Sequence, residues 1–375
     1  MKKLLFRKFI KDNLKLFTAI IFSIGSIVWV IQSVGFLDIV TEDGHSFRVY
    51  IYYSLLNFPK IIHRILPFVF FVSLFYQIIQ YEANNELLVF WIHGVKKIQL
   101  INVIIIYSIL VGLFQILLGG YISPKGQDEA RSFIRSSNLD FFPNLIKPKK
   151  FIDTVKDLTI FIEKKNDDNS YDNILLKDES NKNNTQIIIA EKGKIILKDN
   201  KKILILDNGE IIRINKNKKT TSFNFKTTQF DLEKYSSKTT KTPKIQEIAT
   251  IDLLKCFNFL INTNSSSTII KNLNCKSGFL KNVYQELYKR IYLPIYIVLL
   301  SLISSLILLK SKNAQGYSLF KIKIFLMGIF FIIISDILLN FTGRKLTNDL
   351  VYIMIPILSF FIIYQTLVFK LKIKQ

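Results

Sequence analysis

Long apolar runs alternate with mixed stretches along this chain, and the runs crowd towards both ends. Leu16–Leu37 is 22 residues without a charge, enough for a helix to cross a hydrocarbon layer of about 30 Å. No short core with a small-residue cleavage site is seen there, so it reads as a retained span rather than a signal peptide. Further apolar runs at residues 51–81, 98–122, 291–309, 320–341 and 350–369 predict five more spans. The second contains Pro59 and Pro67, with Lys60 and Arg64 near its start. Leu55–Arg64 therefore reads as an amphipathic lead-in at the outer surface, and Ile65–Tyr81 as the buried part. In the third, Gly112, Gly119 and Gly120 permit close helix contacts.

Between the third and fourth spans the period changes. Residues 151–230 predict short strands at Leu158–Glu163, Asn173–Leu176, Gln186–Ala190, Lys194–Leu197, Ile203–Leu206, Glu210–Ile214 and Ser222–Phe230. Asp207-Asn208-Gly209 is a hairpin-turn signal, because a type I′ turn needs φ > 0 at both central residues, and Glu191-Lys192-Gly193 is a second turn candidate. Closely spaced short strands predict an antiparallel sandwich or jelly roll. Phe223 and Phe225 place aromatics on the last strand, where they would touch a lipid if the domain shields one; a folded spacer with a filled core fits the pattern equally. Ile248–Ile261 then reads as a helix and Asn262–Thr268 as a loop. The expected fold is an integral membrane α-helical protein, six transmembrane helices arranged 3+3, with an inserted all-β, jelly-roll-like domain. Its parts are residues 1–122, 123–285 and 286–375.

Charge adds direction. The N-terminal stretch, Lys96-Lys97, Lys310, Lys312, Lys321, Lys323 and the tail Lys370, Lys372, Lys374 share one side and hold 15 basic residues. By the positive-inside rule both termini are cytoplasmic and 123–285 lies outside, periplasmic in a bacterium. The whole chain carries 51 Lys+Arg against 28 Asp+Glu. The basic residues are scattered among spans and strands and form no recognition helix, so no nucleic-acid partner is expected. Cys256 and Cys275 are the two cysteines, with no metal-type spacing. Outside the cytoplasm they could pair; the flanks favour two free thiols.

Catalytic chemistry is missing. There is no P-loop, no Gly-x-Ser-x-Gly elbow and no His/Cys/carboxylate set with metal-ligand spacing, since His45, His63 and His93 are isolated. No catalytic residue, metal or bound cofactor is expected, and any energy must come from another protein. That makes the mixed stretch Glu82–Lys97 central, for it links two spans at a membrane surface and offers a handle for such a protein.

Several stretches resemble the lipopolysaccharide-export permeases of the LptF/LptG type. Glu86-Leu87 through Gly94 resembles that family's coupling helix, and Asn57-Phe58-Pro59 to Leu66-Pro67 its paired prolines. Tyr121-Ile122-Ser123-Pro124 resembles its exit from span three, and Glu286-Leu287-Tyr288-Lys289-Arg290 to Pro294 its entry into span four. The Asn340–Asn348 loop is closer to the LptF than the LptG member. The resemblance implies a permease subunit of an ABC-type exporter that extracts lipopolysaccharide from the inner membrane. Its partners would be a second homologous permease, a dimeric cytoplasmic ATPase that uses the ATP, and a single-span periplasmic bridge protein of the LptC type.

By the same resemblance Glu86 would meet a basic residue of the ATPase, with Leu87, Phe90, Trp91 and Gly94 completing the coupling helix. The alternatives at these positions are a solvated carboxylate at a helix N-terminus for Glu86 and an interfacial anchor for the aromatics. Asp336, deep in the fifth span, is a gate candidate or a structural hydrogen-bonding group, with Arg344 as one partner. Arg290 suits a phosphate headgroup or an i,i+4 pair with Glu286. The family's basic residues at the outer end of span one are missing: Ser26–Leu37 offers only Gln32, so phosphate anchoring would fall to Lys60 and Arg64 or to the partner. Rival readings are a membrane-anchored scaffold or sensor with an extracytoplasmic ligand-binding β domain, and an ion-driven transporter, for which Asp336 supplies too few titratable groups.

Overall fold

A computed structural model describes residues 1–41, 46–136, 148–153, 157–166, 170–180, 184–198, 201–215, 219–231, 244–262, 268–270, 273–275, 280–343 and 346–373. It divides into two compact units, the first made of Met1–Val30, Asn57–Asp128 and Lys244–Gln375, the second of Ile31–Leu56 and Glu129–Pro243.

The first half of the chain is helical: α1 (Lys2–Gly35), α2 (Asp38–Thr41), α3 (Phe47–Leu56), α4 (Phe58–Ala83), α5 (Glu86–Ile92) and α6 (Lys97–Leu117). A π-helical turn, Leu118–Ile122, continues α6 into α7 (Ser123–Ser136). After the strands come a 3-10 turn at Ile245–Glu247, α8 (Thr250–Asn262), α9 (Leu280–Ile291), α10 (Ile295–Ser305, extended by a 3-10 turn to Leu309), α11 (Tyr317–Phe341) and α12 (Leu346–Ile373). Among the described residues five helical stretches are long and apolar enough to cross a membrane, and α9 with α10 make a sixth if their 44° bend lies within one span. Pro294 sits at that bend and caps α10. The second span differs from expectation. The chain breaks at Asn57, so α4 starts at Phe58, with Pro59 tolerated in its first turn.

In the helical unit α10 is the central element. Tyr296, Ile297, Leu299, Leu300, Leu302 and Ile303 are all buried, and Ser301, Ser304 and Ser305 return their hydroxyls to backbone carbonyls three or four residues back. Leu66, Phe70, Phe71 and Leu74 of α4 and Leu100, Ile101 and Ile104 of α6 share that core. On α11, Leu326, Phe330, Ile333 and Ile337 stay exposed; so do Phe22 and Ile27 of α1 and Met354, Leu358 and Phe361 of α12. Apolar surface of this extent faces lipid or another protein, not water.

The second unit contains one antiparallel sheet in sequence order: β1 (Lys150–Ile152), β2 (Leu158–Lys165), β3 (Ser170–Asp178), β4 (Asn184–Lys198), β5 (Lys201–Asn215) and β6 (Thr220–Asp231). Two of the expected breaks are absent. Asp207-Asn208-Gly209 and Glu191-Lys192-Gly193 do not turn the chain; each lies inside a single 15-residue strand. Ladder pairing skips Glu163, Asn173, Glu191, Asn208 and Lys226 without any change of register, and these residues form one row across five strands. Asn173 and Asn208 take φ of 52° and 50°, a conformation Asn accepts at lower cost than most residues. On crossing the row the buried face changes parity: Ile174 and Leu176 against Tyr171 on β3, Ile188 and Ala190 against Gly193 on β4. The sheet is therefore creased, and the Asn-Gly signal marks the crease. Gly209 is required there, and Gly193 sits in a tight place. A Cβ at Gly193 would stand 2.4 Å from Ile174 Cδ1, and one at Gly209 would stand 2.1 Å from the Ile189 carbonyl.

A small core of Ile248, Leu253, Cys256, Cys275, Val283 and Leu287 joins α8 to α9. Here the expectation of free thiols is corrected: Cys256 and Cys275 are disulfide-bonded across a separation of 19 residues. The bond ties α8 to the two-stranded pair β7 (Thr268–Ile270) and β8 (Leu273–Cys275). Such a bond belongs to an oxidising compartment.

Candidate functional site

The Glu82–Lys97 stretch folds as a corner between α4 and α6, and its helix α5 is only seven residues long. Asn85, with φ of 60°, reverses the chain after α4. Glu86 opens α5, where a carboxylate favours the helix dipole. Gly94, with φ of 74°, closes it: its N–H donates to the Trp91 carbonyl and the Val95 N–H to the Phe90 carbonyl, both at 3.0 Å. This is a Schellman cap, so Gly94 is first a stop signal.

Burial separates the expected coupling residues. Leu87 and Phe90 face inward and are almost fully buried. Phe90 packs against Phe6, Phe9 and Tyr81. Trp91 is half-buried, with Lys97 Nζ 5.8 Å from its ring centre. The outward face is Leu88, Val89 and Ile92, with Ile92 73% exposed. Sequence reasoning missed this set because the whole of Glu86–Ile92 after its first residue is apolar; only helical spacing, with Leu87 and Phe90 three apart, could have separated the faces.

The corner is tied on two sides. On α1, Lys8 Nζ lies 3.0 Å from Glu86 Oε2. Gln77 Nε2 donates to the Phe9 carbonyl at 2.8 Å, and the Tyr81 hydroxyl donates to Asp12 Oδ2 at 2.6 Å. On the α10–α11 loop, the Lys312 N–H donates to Glu82 Oε1 at 2.9 Å and its Nζ to the Ala83 carbonyl at 3.0 Å. Lys97 Nζ donates to the Leu308 carbonyl at 2.7 Å. The corner is thus bonded through α5 to α1 and through the end of α4 to the α10–α11 loop.

At the other end of the same helices sits a polar knot. Arg290 is 2% exposed, and four of its five guanidinium N–H groups are engaged. Nε donates to Glu286 Oε1 (3.0 Å), Nη1 to the Ile248 carbonyl and Thr250 Oγ1 (both 2.9 Å), and Nη2 to the Gln246 carbonyl (3.0 Å). Thr250 Oγ1 in turn donates to the Gly120 carbonyl in the π turn. Most of the Arg290 donors are thus used within the chain, by Glu286, Thr250 and the carbonyls of Gln246 and Ile248.

The other candidates are dispersed. Lys60 and Arg64 share a small cavity with Glu286. Asp336 is exposed on the outer face of α11 and Gln32 is half-buried in the second unit; Arg344, its suggested partner, lies outside the described residues. On β6 Phe223 is 56% exposed, whereas Phe225 packs against the sheet's core. Among the described residues no group of three or more His, Cys, Asp and Glu could hold a metal.

Apolar helices with lipid-type exposure and an inserted antiparallel sheet define a multi-pass membrane protein that carries a β domain. The sequence matches the lipopolysaccharide export system permease LptF/LptG family over residues 7–370. The chain belongs to that family and is a multi-pass inner-membrane protein. It is also 26% identical over 195 residues to "Uncharacterized protein RP871" of Rickettsia prowazekii (strain Madrid E), a match covering 51% of this chain and 53% of the relative. The chain thus aligns with about half the length of that curated relative.

Proposed function

We propose that this chain is a permease subunit, of the LptF rather than the LptG type, in an ABC-type lipopolysaccharide exporter. Both termini are cytoplasmic, six spans are arranged 3+3, and residues 123–285 are periplasmic. A separate dimeric ATPase grips α5 through Glu86 and the exposed Leu88, Val89 and Ile92. The spans move with it, a second permease completes the cavity, and the lipid passes to the creased sheet, which acts as a jelly-roll unit leading to a bridge protein of the LptC type.

The observation that carries this reading is the α5 corner. A short helix with an exposed apolar face is fastened to α1 at Lys8, and the end of α4 that leads into it is fastened to the α10–α11 loop at Glu82. The bonded Cys256–Cys275 pair supports a periplasmic position for α8.

The test is photocrosslinking from position 223 in membranes containing the partner subunits. Lipopolysaccharide adducts that require ATP are expected. Adducts that form equally without ATP, or none with any lipid, would exclude the exporter role.

A further inference from the structure

At the end of the helical unit remote from α5, a polar cavity of about 150 Å³ closes between the start of α4, the π turn with the start of α7, and α9. Its charge is unbalanced. Lys60, Arg64 and Lys289 bring three cations to the wall, and Glu286 is the one carboxylate among the described lining residues. Glu286 Oε1 is already taken by Arg290, and the neighbouring Glu247 accepts the Lys244 N–H at 2.9 Å. Lys60 and Lys289 are half-buried, and cations withdrawn from water demand a counter-charge.

His63 and Ser123, both buried, also line this space. His63 is 6% exposed, and its Nδ1 has no hydrogen-bond partner. The imidazole packs on the π turn, where a Cβ on Gly119 would be 2.3 Å from His63 Cε1. Ser123 Oγ accepts from Gln127 Nε2 at 3.0 Å, which leaves the hydroxyl proton to donate. A π turn beside such a cavity is a common mark of a functional site.

We infer that this cavity binds a phosphate-class oxyanion. Two ammonium groups, a guanidinium and a hydroxyl are its donors, and excess positive charge is its driving force. The volume suits one tetrahedral anion with a few waters, each taking about 30 Å³. It is well below the roughly 300 Å³ at which pockets begin to enclose sugar-sized ligands. The anion is therefore either free phosphate or a phosphate monoester projecting from a lipid whose body stays outside. The lipid source rests on the exporter reading; the free-anion source does not.

The test is thermal unfolding of the purified full chain in nanodiscs of phosphatidylcholine. Inorganic phosphate is titrated at constant ionic strength against sodium chloride; in a parallel series phosphatidic acid replaces part of the phosphatidylcholine. A saturable rise in midpoint with inorganic phosphate, weakened at least tenfold in Lys289→Gln and in Lys60→Gln, identifies a free-anion site. A rise with phosphatidic acid alone, weakened likewise, identifies a lipid phosphate. The inference is overturned if neither ligand raises the midpoint beyond its reference, or if both variants respond like the parent. Ser123→Ala, which removes one donor and no charge, keeps the test decisive should a lysine variant fold poorly; its response must fall too.

Discussion

Lys8 Nζ and Glu86 Oε2 lie 3.0 Å apart, 78 residues distant in sequence, joining α1 to the first turn of α5. Both side chains are substantially exposed, so the pair contributes only about 0.2–1 kcal/mol to stability. Its value lies in position: the carboxylate proposed to meet the ATPase is already held by a lysine that a stronger basic partner can replace.

A charge swap separates the two roles of Glu86. Glu86→Lys is expected to abolish co-purification of the ATPase and to lower the unfolding midpoint slightly. Adding Lys8→Glu restores the internal pair, and with it the midpoint, but not the ATPase. Recovery of the ATPase in the swapped protein would show that Glu86 acts only within the chain.

The two faces of α5 make a second contrast. Phe90 is buried among Phe6, Phe9 and Tyr81, so Phe90→Ala is expected to cost about 3–5 kcal/mol. Ile92 is exposed, so Ile92→Asp is expected to change stability by under about 0.5 kcal/mol and to remove the ATPase from the purified complex. Thermal unfolding and co-purification, measured together, check both. An Ile92→Asp chain that retains its ATPase would rule out this face.

How legible these features were depends on how local their causes are. The five long spans were readable because about twenty apolar residues allow few alternatives, and α8 because its stretch is helical. The creased sheet was not. Asp207-Asn208-Gly209 does supply the positive φ that its composition signals, at Asn208, yet the strand continues on both sides. A turn and a crease need the same local backbone; long-range pairing of β5 with β4 and β6 decides between them. Likewise Glu286-x-x-x-Arg290 was visible as a helical pair, but the carbonyls of Gln246 and Ile248 that claim the guanidinium lie more than 40 residues away. The bonded cysteines escaped for the same reason, since the core that brings them together is built from three separate segments.

Gly328 on α11 faces Phe71 on α4. A Cβ there would fall 2.0 Å from Phe71 Cζ, so the glycine sets how closely the two helices approach. Gly328→Ala is expected to destabilise the chain by about 1–3 kcal/mol through overpacking. Phe71→Leu in the same chain frees the space and is expected to recover most of the loss. Thermal unfolding of the single and double variants measures the coupling. Simple additivity would mean that α11 shifts freely and that the ring does not fix its position.

Arg290 supplies the sharpest test of a structural role against a lipid-binding one. Lysine keeps the charge that a phosphate would need, but a single ammonium cannot reach Glu286, Thr250 and the carbonyls of Gln246 and Ile248 together. Arg290→Lys is expected to cost about 1.5–3 kcal/mol, the scale of hydrogen bonds to charged groups. Arg290→Met leaves Glu286 and the carbonyls unpaired and is expected to cost about 3–5 kcal/mol. Glu286→Gln added to Arg290→Met removes the stranded charge and is expected to return part of that loss. If Arg290 instead held lipid, Arg290→Lys would unfold like the parent in lipid-free detergent and lose stability only relative to a lipid-loaded parent. Unfolding midpoints measured with and without lipopolysaccharide distinguish the two, because the knot predicts the same deficit in both.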